Sequence, residues 1–226
     1  MSFASRKEIF SIGSEKIQVR HYDSELFSLS NYAQYGVSVP KSIEASVPKR
    51  QAEFLAGRLA ARDALEAIQF HNLADISIGR FREPVWPQGV IGDISHTNSI
   101  AISLAKHRKS DTIVGLDIEN IMNENLCTDI EPMLISDKEN KLLRMVPLPR
   151  VIVLSVLFSA KESLFKAIFP KVRQYMSFQD SELTHFSTKQ QTLGLRMVRK
   201  LDRVSFRDQY IVHFCIFDNK TVTLLT

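Results

Sequence analysis

Gly115-Leu116-Asp117-Ile118-Glu119 closes a segment, residues 112–119, in which side chains divide between two faces with the two-residue period of a β-strand. Val114, Leu116 and Ile118 point one way, into a core. Ile113, Gly115, Asp117 and Glu119 point the other. Two carboxylates next but one to each other behind a glycine are half of a site for a hard divalent cation. Mg²⁺ takes oxygen ligands, commonly one or two protein carboxylates completed by water and substrate phosphates. Taken alone, the pair also reads as the solvated end of a strand, and the neighbouring segments decide between the two.

Upstream, residues 99–105 alternate in strand fashion, with Ile100, Ile102 and Leu104 on one face, and a polar turn over 107–111 joins them to the carboxylate strand. Pro84, Pro87 and Gly89 mark a loop around Trp86 that runs into Ser95-His96-Thr97. A helix rich in Ala, Leu, Glu and Arg is expected from Pro48 to about Gln69. Residues 1–48 read as irregular, with short extended pieces such as 16–20. Downstream, 122–150 reads as short helical pieces, best over 136–144. A strong helix covers 151–169 and is expected to stop at Pro170. The tail reads as strands over 191–199, 204–206, 210–217 and 221–225, with Asp218-Asn219 as a hairpin turn. The expected fold is α+β: two similar lobes, residues 1–110 and 111–226. Each is a long helix packed on a small antiparallel sheet, the two are related by a pseudo-twofold, and the active site lies at the seam.

The bulk numbers fit a globular protein: 226 residues, 44% of them apolar. No stretch approaches the roughly 18–20 apolar residues of a membrane span, and no apolar signal core follows the first residues. Cys127 and Cys215 are far apart without metal spacing, so the expected setting is reducing and cytoplasmic, with free thiols. A net charge of +4 suits an anionic ligand or an acidic partner. The basic residues are dispersed and no zinc or aromatic RNA-reading motif is present, which argues against nucleic acid.

Three further clusters accompany the carboxylate pair. Arg58 and Arg62, four apart, share a helix face and can clamp a phosphate, or form a solvated face with Arg62 pairing Glu66. Arg80, Arg82 and His96 frame the Trp86 loop, where the histidine either donates to an anionic oxygen or caps the loop. No nucleophile-elbow serine is present, which excludes a serine hydrolase of that type. Finally, Lys161 and Glu162 interrupt the apolar stripe that contains Phe158, Phe165 and Phe169. A surface Glu162–Lys166 pair would be worth only about 0.3–0.5 kcal/mol, whereas an uncompensated buried charge costs several kcal/mol. A metal and a phosphate nearby would neutralise all three charges.

In order, the segments Lys-Arg-Gln-Ala-Glu-Phe-Leu-Ala-Gly-Arg (49–58), Pro-Val-Trp-Pro-Gln-Gly (84–89), Ile-Ser-His-Thr (94–97), Gly-Leu-Asp-Ile-Glu (115–119) and Phe-Ser-Ala-Lys-Glu-Ser-Leu-Phe-Lys (158–166) resemble the 4′-phosphopantetheinyl transferases. The resemblance is to the two-lobed type that includes enterobactin synthase component D, and it runs from about residue 40 to 171. It implies transfer of phosphopantetheine from coenzyme A to a serine of an apo carrier protein, releasing adenosine 3′,5′-bisphosphate, in enterobactin-like siderophore or other nonribosomal peptide synthesis. By the same resemblance Asp117, Glu119 and Glu162 hold Mg²⁺. Glu162 is the base, directly or through water, and Lys166 stabilises or protonates the leaving phosphate. Arg58, Arg62, Arg80, His96, Thr97 and Lys161 bind coenzyme A. The implied partners are acidic carrier proteins or domains of nonribosomal peptide, polyketide or fatty acid synthases, docking near 122–150, and the chain is expected to be a monomer. The alternative is a catalytically inactive coenzyme A or carrier-binding module, against which the intact carboxylates and Lys166 argue. The family loop commonly reads Gly-Ser-Ile-Ser-His-Ser, and here residues 92–97 are Gly-Asp-Ile-Ser-His-Thr. Thr97 keeps the hydroxyl. Asp93 adds a negative charge near an anion site and is expected to turn outward or to pair with Arg80 or Arg82.

Overall fold

The structure, a computed structural model, describes residues 2–4, 6–70, 75–199, 207 and 209–226. Two units divide the chain, Met1–Thr112 and Ile113–Thr226.

The first unit opens with a hairpin, β1 (Arg6–Ile12) and β2 (Glu15–His21), turning at Gly13 with φ of 57°. Two short helices follow, α1 (Ser30–Tyr35), closed by left-handed Gly36, and α2 (Lys41–Glu44). The long helix α3 (Pro48–Ala67) starts with proline at its first position, where the missing N–H costs nothing. A two-residue pair, β3 (Ser77–Ile78) and β4 (Pro84–Val85), precedes β5 (Val90–His96) and β6 (Ile100–His107). The sheet order is β1-β2-β6-β5, antiparallel throughout, with α3 lying across β6, β2 and β5. Ala56, Ala60 and Ala61 are fully buried, and these small side chains let the helix settle close to the strands. The described residues before 48 therefore hold more regular structure than their sequence implies. The outer strand β1 leaves Ile9 64% exposed while burying Ile12, which blurs the alternation that marks a strand. Residues 90–96, expected as loop, are a sheet strand despite Gly92 and Asp93.

The second unit begins with β7 (Gly115–Asn120), then α4 (Glu124–Leu134), α5 (Asp137–Leu143) and α6 (Arg150–Val172). The strands β8 (Ser181–Ser187), β9 (Thr192–Met197), β10 (Tyr210–Phe217) and β11 (Lys220–Leu225) complete a sheet of order β7-β11-β10-β9-β8. Here too every pair is antiparallel, and α6 lies across β7, β11, β10 and β9. Asp218 and Asn219 turn the last hairpin with φ of 44° and 58°, the left-handed pair that a two-residue loop requires. The core joins Leu154, Leu157 and Leu164 of α6 to Leu193, Leu195, Val212 and Phe214 of the sheet.

Three expectations are corrected here. Helix α6 runs through Pro170 and ends at left-handed Arg173. So near the C-terminus the proline removes a single intrahelical bond, too little to stop the helix earlier. Strand β8 was not anticipated, and the strand expected at 204–206 lies outside the described residues. The carboxylate strand starts at Gly115 rather than 112 and is buried on both faces. A Cβ on Gly115 would overlap the Ser163 carbonyl oxygen, so this glycine is needed for the close approach of α6 to β7. Among the described residues no helix is long and apolar enough to cross a membrane.

Candidate active site

In the second unit, the face of β7 beneath α6 carries Asp117 and Glu119, and α6 answers with Glu162 and, one turn on, Lys166. Asp117 is only 3% exposed. Its Oδ1 accepts from Lys166 Nζ at 2.7 Å and its Oδ2 from Ser159 Oγ at 2.8 Å. Lys166 Nζ also donates to the Leu116 carbonyl at 3.0 Å. Burial foremost, then the charge of Asp117, raises the Glu119 carboxyl to about 7, with Glu162 adding to the rise and Lys166 opposing it. Glu162 is raised for the same reasons, burial first and Asp117 second, again against Lys166. Three carboxylates therefore share one nearby ammonium, an excess of negative charge that a cation would relieve. Among the described residues no three acidic, histidine or cysteine side chains enclose an ion by themselves. An ion here would complete its shell with water and phosphate oxygens, as Mg²⁺ commonly does. A cavity of about 240 Å³ opens beside Glu162, walled by Phe165, Tyr175, Met176 and Phe178.

Lys161 has a different place from the one expected. It is buried, and its ammonium meets Glu139 Oε1 at 2.8 Å and the carbonyls of Leu134, Phe178 and Ser181 at 2.8, 3.0 and 3.1 Å. Glu139 is also buried. It caps α5 through Ser136 and accepts from the Leu183 backbone N–H at 2.9 Å. An ammonium with three protons and four acceptors has no donor left for a substrate phosphate. Its compensation comes from the fold itself.

In the first unit, Arg50, Arg58, Arg82 and His96 line a cavity of about 500 Å³ together with Glu53, against walls that include Phe54, Ile78 and Ile94. The Arg58 guanidinium stacks 4.2 Å from the Phe54 ring centroid, and its Nε donates to the Ile76 carbonyl at 2.6 Å. Burial, then the charge of Arg50, lowers its pKa to about 10. Arg50 Nη1 lies 2.9 Å from His96 Nε2 and 3.4 Å from Glu53 Oε2. Guanidinium only donates, so in this contact the imidazole nitrogen is the acceptor. Arg50 Nε is buried with no hydrogen-bond partner among the described residues.

Two expected arginines fall outside this lining. Arg62 donates to the carbonyls of Tyr35 and Gly36 at 2.8 and 2.9 Å, holding the end of α1, and its other neighbour is Asp75 rather than Glu66. Arg80 is exposed beside Phe81. Thr97 also lies off the lining, buried, with an Oγ1 that has no hydrogen-bond partner among the described residues. Asp93 turns away from the cavity, as expected, but not into solvent. It is buried on the face of β5 opposite Ile94 and His96, and its Oδ1 accepts from the Ile94 N–H at 2.8 Å. Its charge therefore points away from the cavity. Sequence reading missed Arg50 and Glu53 as lining residues, and it named Arg82 in the Trp86 loop without assigning it to the ligand. The signal for Arg50 was present, since it precedes Arg58 by eight residues, close to two helical turns.

Carboxylates grouped with a lysine, and arginines with a histidine around a cavity, equip an α+β chain for phosphoryl-type transfer, which asks mainly for charge neutralisation and positioning. Residues 39–106 match the family described as 4′-phosphopantetheinyl transferase N-terminal domain, and residues 113–218 the 4′-phosphopantetheinyl transferase superfamily. The chain belongs to the 4′-phosphopantetheinyl transferase superfamily. Enterobactin synthase component D of Escherichia coli O157:H7 is 30% identical over 202 residues, 89% of this chain and 85% of that protein. The protein of that name from Salmonella typhi is 36% identical over 147 residues, 65% of this chain. The 4′-phosphopantetheinyl transferase PptT of Mycobacterium tuberculosis is 30% identical over 147 residues, 63% of this chain. The chain spans 60% of the length of the Salmonella typhi relative and 61% of the mycobacterial one.

Proposed function

We propose that the chain transfers 4′-phosphopantetheine from coenzyme A to a serine of an apo carrier protein, releasing adenosine 3′,5′-bisphosphate, in siderophore or other nonribosomal peptide synthesis. The observation that carries this is the grouping of Asp117, Glu119 and Glu162 with Lys166 on two packed elements, β7 and α6. The serine oxygen forms a bond to the pantetheine-side phosphorus of the pyrophosphate. The bond from that phosphorus to the bridging oxygen breaks, and the electron pair leaves on the adenosine 5′-phosphate. Glu162 takes the serine proton. Its raised pKa makes it a better base than an ordinary carboxylate. Lys166 neutralises the leaving phosphate.

Asp117, Glu119 and Glu162 would hold Mg²⁺, which when bound neutralises the pyrophosphate. The fit rests on hard oxygen donors and an excess of carboxylate charge. Arg50, Arg58, Arg82 and His96 would take the anionic end of coenzyme A. Lys161 and Arg62 act in the fold instead. Acidic carriers suit a chain of net charge +4. Leu126, Met133 and Met145, exposed within 122–150, are proposed as their contacts. We place the protein in the cytoplasm, as a monomer without nucleic acid.

The test is intact-protein mass spectrometry of an apo peptidyl carrier protein incubated with this chain, coenzyme A and Mg²⁺. A gain of one phosphopantetheine, lost with EDTA and with Glu162→Gln, is expected. No gain from folded protein across several carriers would leave the inactive binding module as the better reading.

A further inference from the structure

Helix α6 carries serines at 155, 159 and 163, every fourth residue, all fully buried. Apart from Lys161, its other buried positions, such as Leu154, Leu157 and Leu164, are apolar. Two of the serines, Ser159 and Ser163, meet the buried hydroxyl of Thr223 on β11, a strand that also buries Thr221. In the antiparallel register Thr223 stands opposite Asp117 and Thr221 opposite Glu119. Ser159 Oγ lies 2.8 Å from Asp117 Oδ2 and 2.9 Å from Thr223 Oγ1, which is 2.7 Å from Ser163 Oγ. A carboxylate only accepts, and each hydroxyl has one proton, so the direction of the chain is fixed. Ser163 donates to Thr223, Thr223 to Ser159, and Ser159 to Asp117. Thr221 Oγ1 is buried with no hydrogen-bond partner among the described residues, across the ladder from Glu119. Opposed side chains on one face of a ladder are in contact range. Buried hydroxyls are costly where apolar groups would pack, and those of Ser159, Ser163 and Thr223 form one chain that ends on Asp117.

We propose that Ser163, Thr223 and Ser159 are positioning residues for Asp117, holding its carboxylate in the orientation in which it takes a divalent cation. This rests on reading the cluster as a cation site. Groups of this kind tune a metal by orienting its ligands, and losing one commonly weakens affinity 10–100-fold.

The test uses the full chain without coenzyme A or carrier, and Mn²⁺ binding read by electron paramagnetic resonance. Ser159→Ala and Thr223→Val, with melting curves to show that they fold, should each raise the Mn²⁺ dissociation constant about 10-fold. Thr223→Ser should restore the unaltered value. Asp117→Asn is the control. If Asp117→Asn weakens Mn²⁺ binding while Ser159→Ala and Thr223→Val bind as the unaltered chain does, the hydroxyls serve packing alone and the inference fails. If the unaltered chain binds no Mn²⁺, or Asp117→Asn leaves binding unchanged, the cation reading itself is refuted and the positioning role with it. Should Thr223→Val not fold, Ser159→Ala decides alone.

Discussion

Replacing Lys161 by methionine keeps most of the aliphatic stem and removes the charge at the junction of α6 with α4, α5 and the start of β8. The ammonium and its partner Glu139 are 1% and 2% exposed at the side chain. Removing one member of a buried pair strands the other, at a cost of about 3–5 kcal/mol. Three carbonyls, of Leu134, Phe178 and Ser181, lose a donor as well. For a chain of this size about 2–4 °C of melting temperature accompanies each kcal/mol, so Lys161→Met should lower the midpoint by about 6–20 °C. Glu139→Gln should cost less, because the ammonium retains three carbonyl acceptors. The double variant should fall short of the sum of the two by about 1–3 kcal/mol. Chemical denaturation of all four proteins gives the cycle. The competing role, a direct contact to coenzyme A, predicts the opposite pattern: near-normal stability and a raised KM. A Lys161→Met protein within about 1 kcal/mol of the unaltered chain, a small fraction of the expected loss, with a KM for coenzyme A raised tenfold, would refute the clamp.

Other outcomes follow from the geometry. Arg50→Ala and Arg82→Ala should each raise the KM for coenzyme A about 10-fold or more, the worth of a hydrogen bond to a charged group. Arg80→Ala, off the cavity lining, should stay within about twofold, and steady-state kinetics with a carrier at saturation separates them. Glu119 holds its proton up to about 7 in the fold against an ordinary 4.5, so between these values the folded chain carries the extra proton and stability falls as pH rises. In EDTA at about pH 8, Glu119→Gln should melt above the unaltered protein, with the gap closing toward pH 4.5; melts that differ equally at every pH would contradict this. Gly115→Ala should be destabilising by more than about 3 kcal/mol, because the obstacle is the Ser163 backbone rather than a movable side chain. Urea denaturation measures it, and a loss under about 1 kcal/mol would mean that α6 shifts freely on β7.

What the residues disclosed, and what they withheld, follows from the range of the forces involved. Helices α3 and α6 were legible because propensity and apolar content act within a few residues, and the β10–β11 hairpin because Asp218-Asn219 suits its turn. The edge strand β1 and the Gly-Asp-containing β5 were not, since their pairing comes from the sheet rather than from local preference. The carboxylates of β7 were visible as a motif, but their burial was not. Alternation says which side chains share a face, and only the packing of α6 says that both faces are covered. The basic residues divide the same way. Nothing within a helical turn of Arg62 or Lys161 distinguishes a phosphate ligand from a structural cation, because what occupies them is carbonyl oxygens 26 to 27 residues away for Arg62 and 17 to 27 for Lys161. Asp93 shows how one long-range fact settles a local doubt. Once β5 is a strand, its two-residue period sends Asp93 to the face opposite His96, and a charge that threatened the anion site is removed from it without any change in sequence.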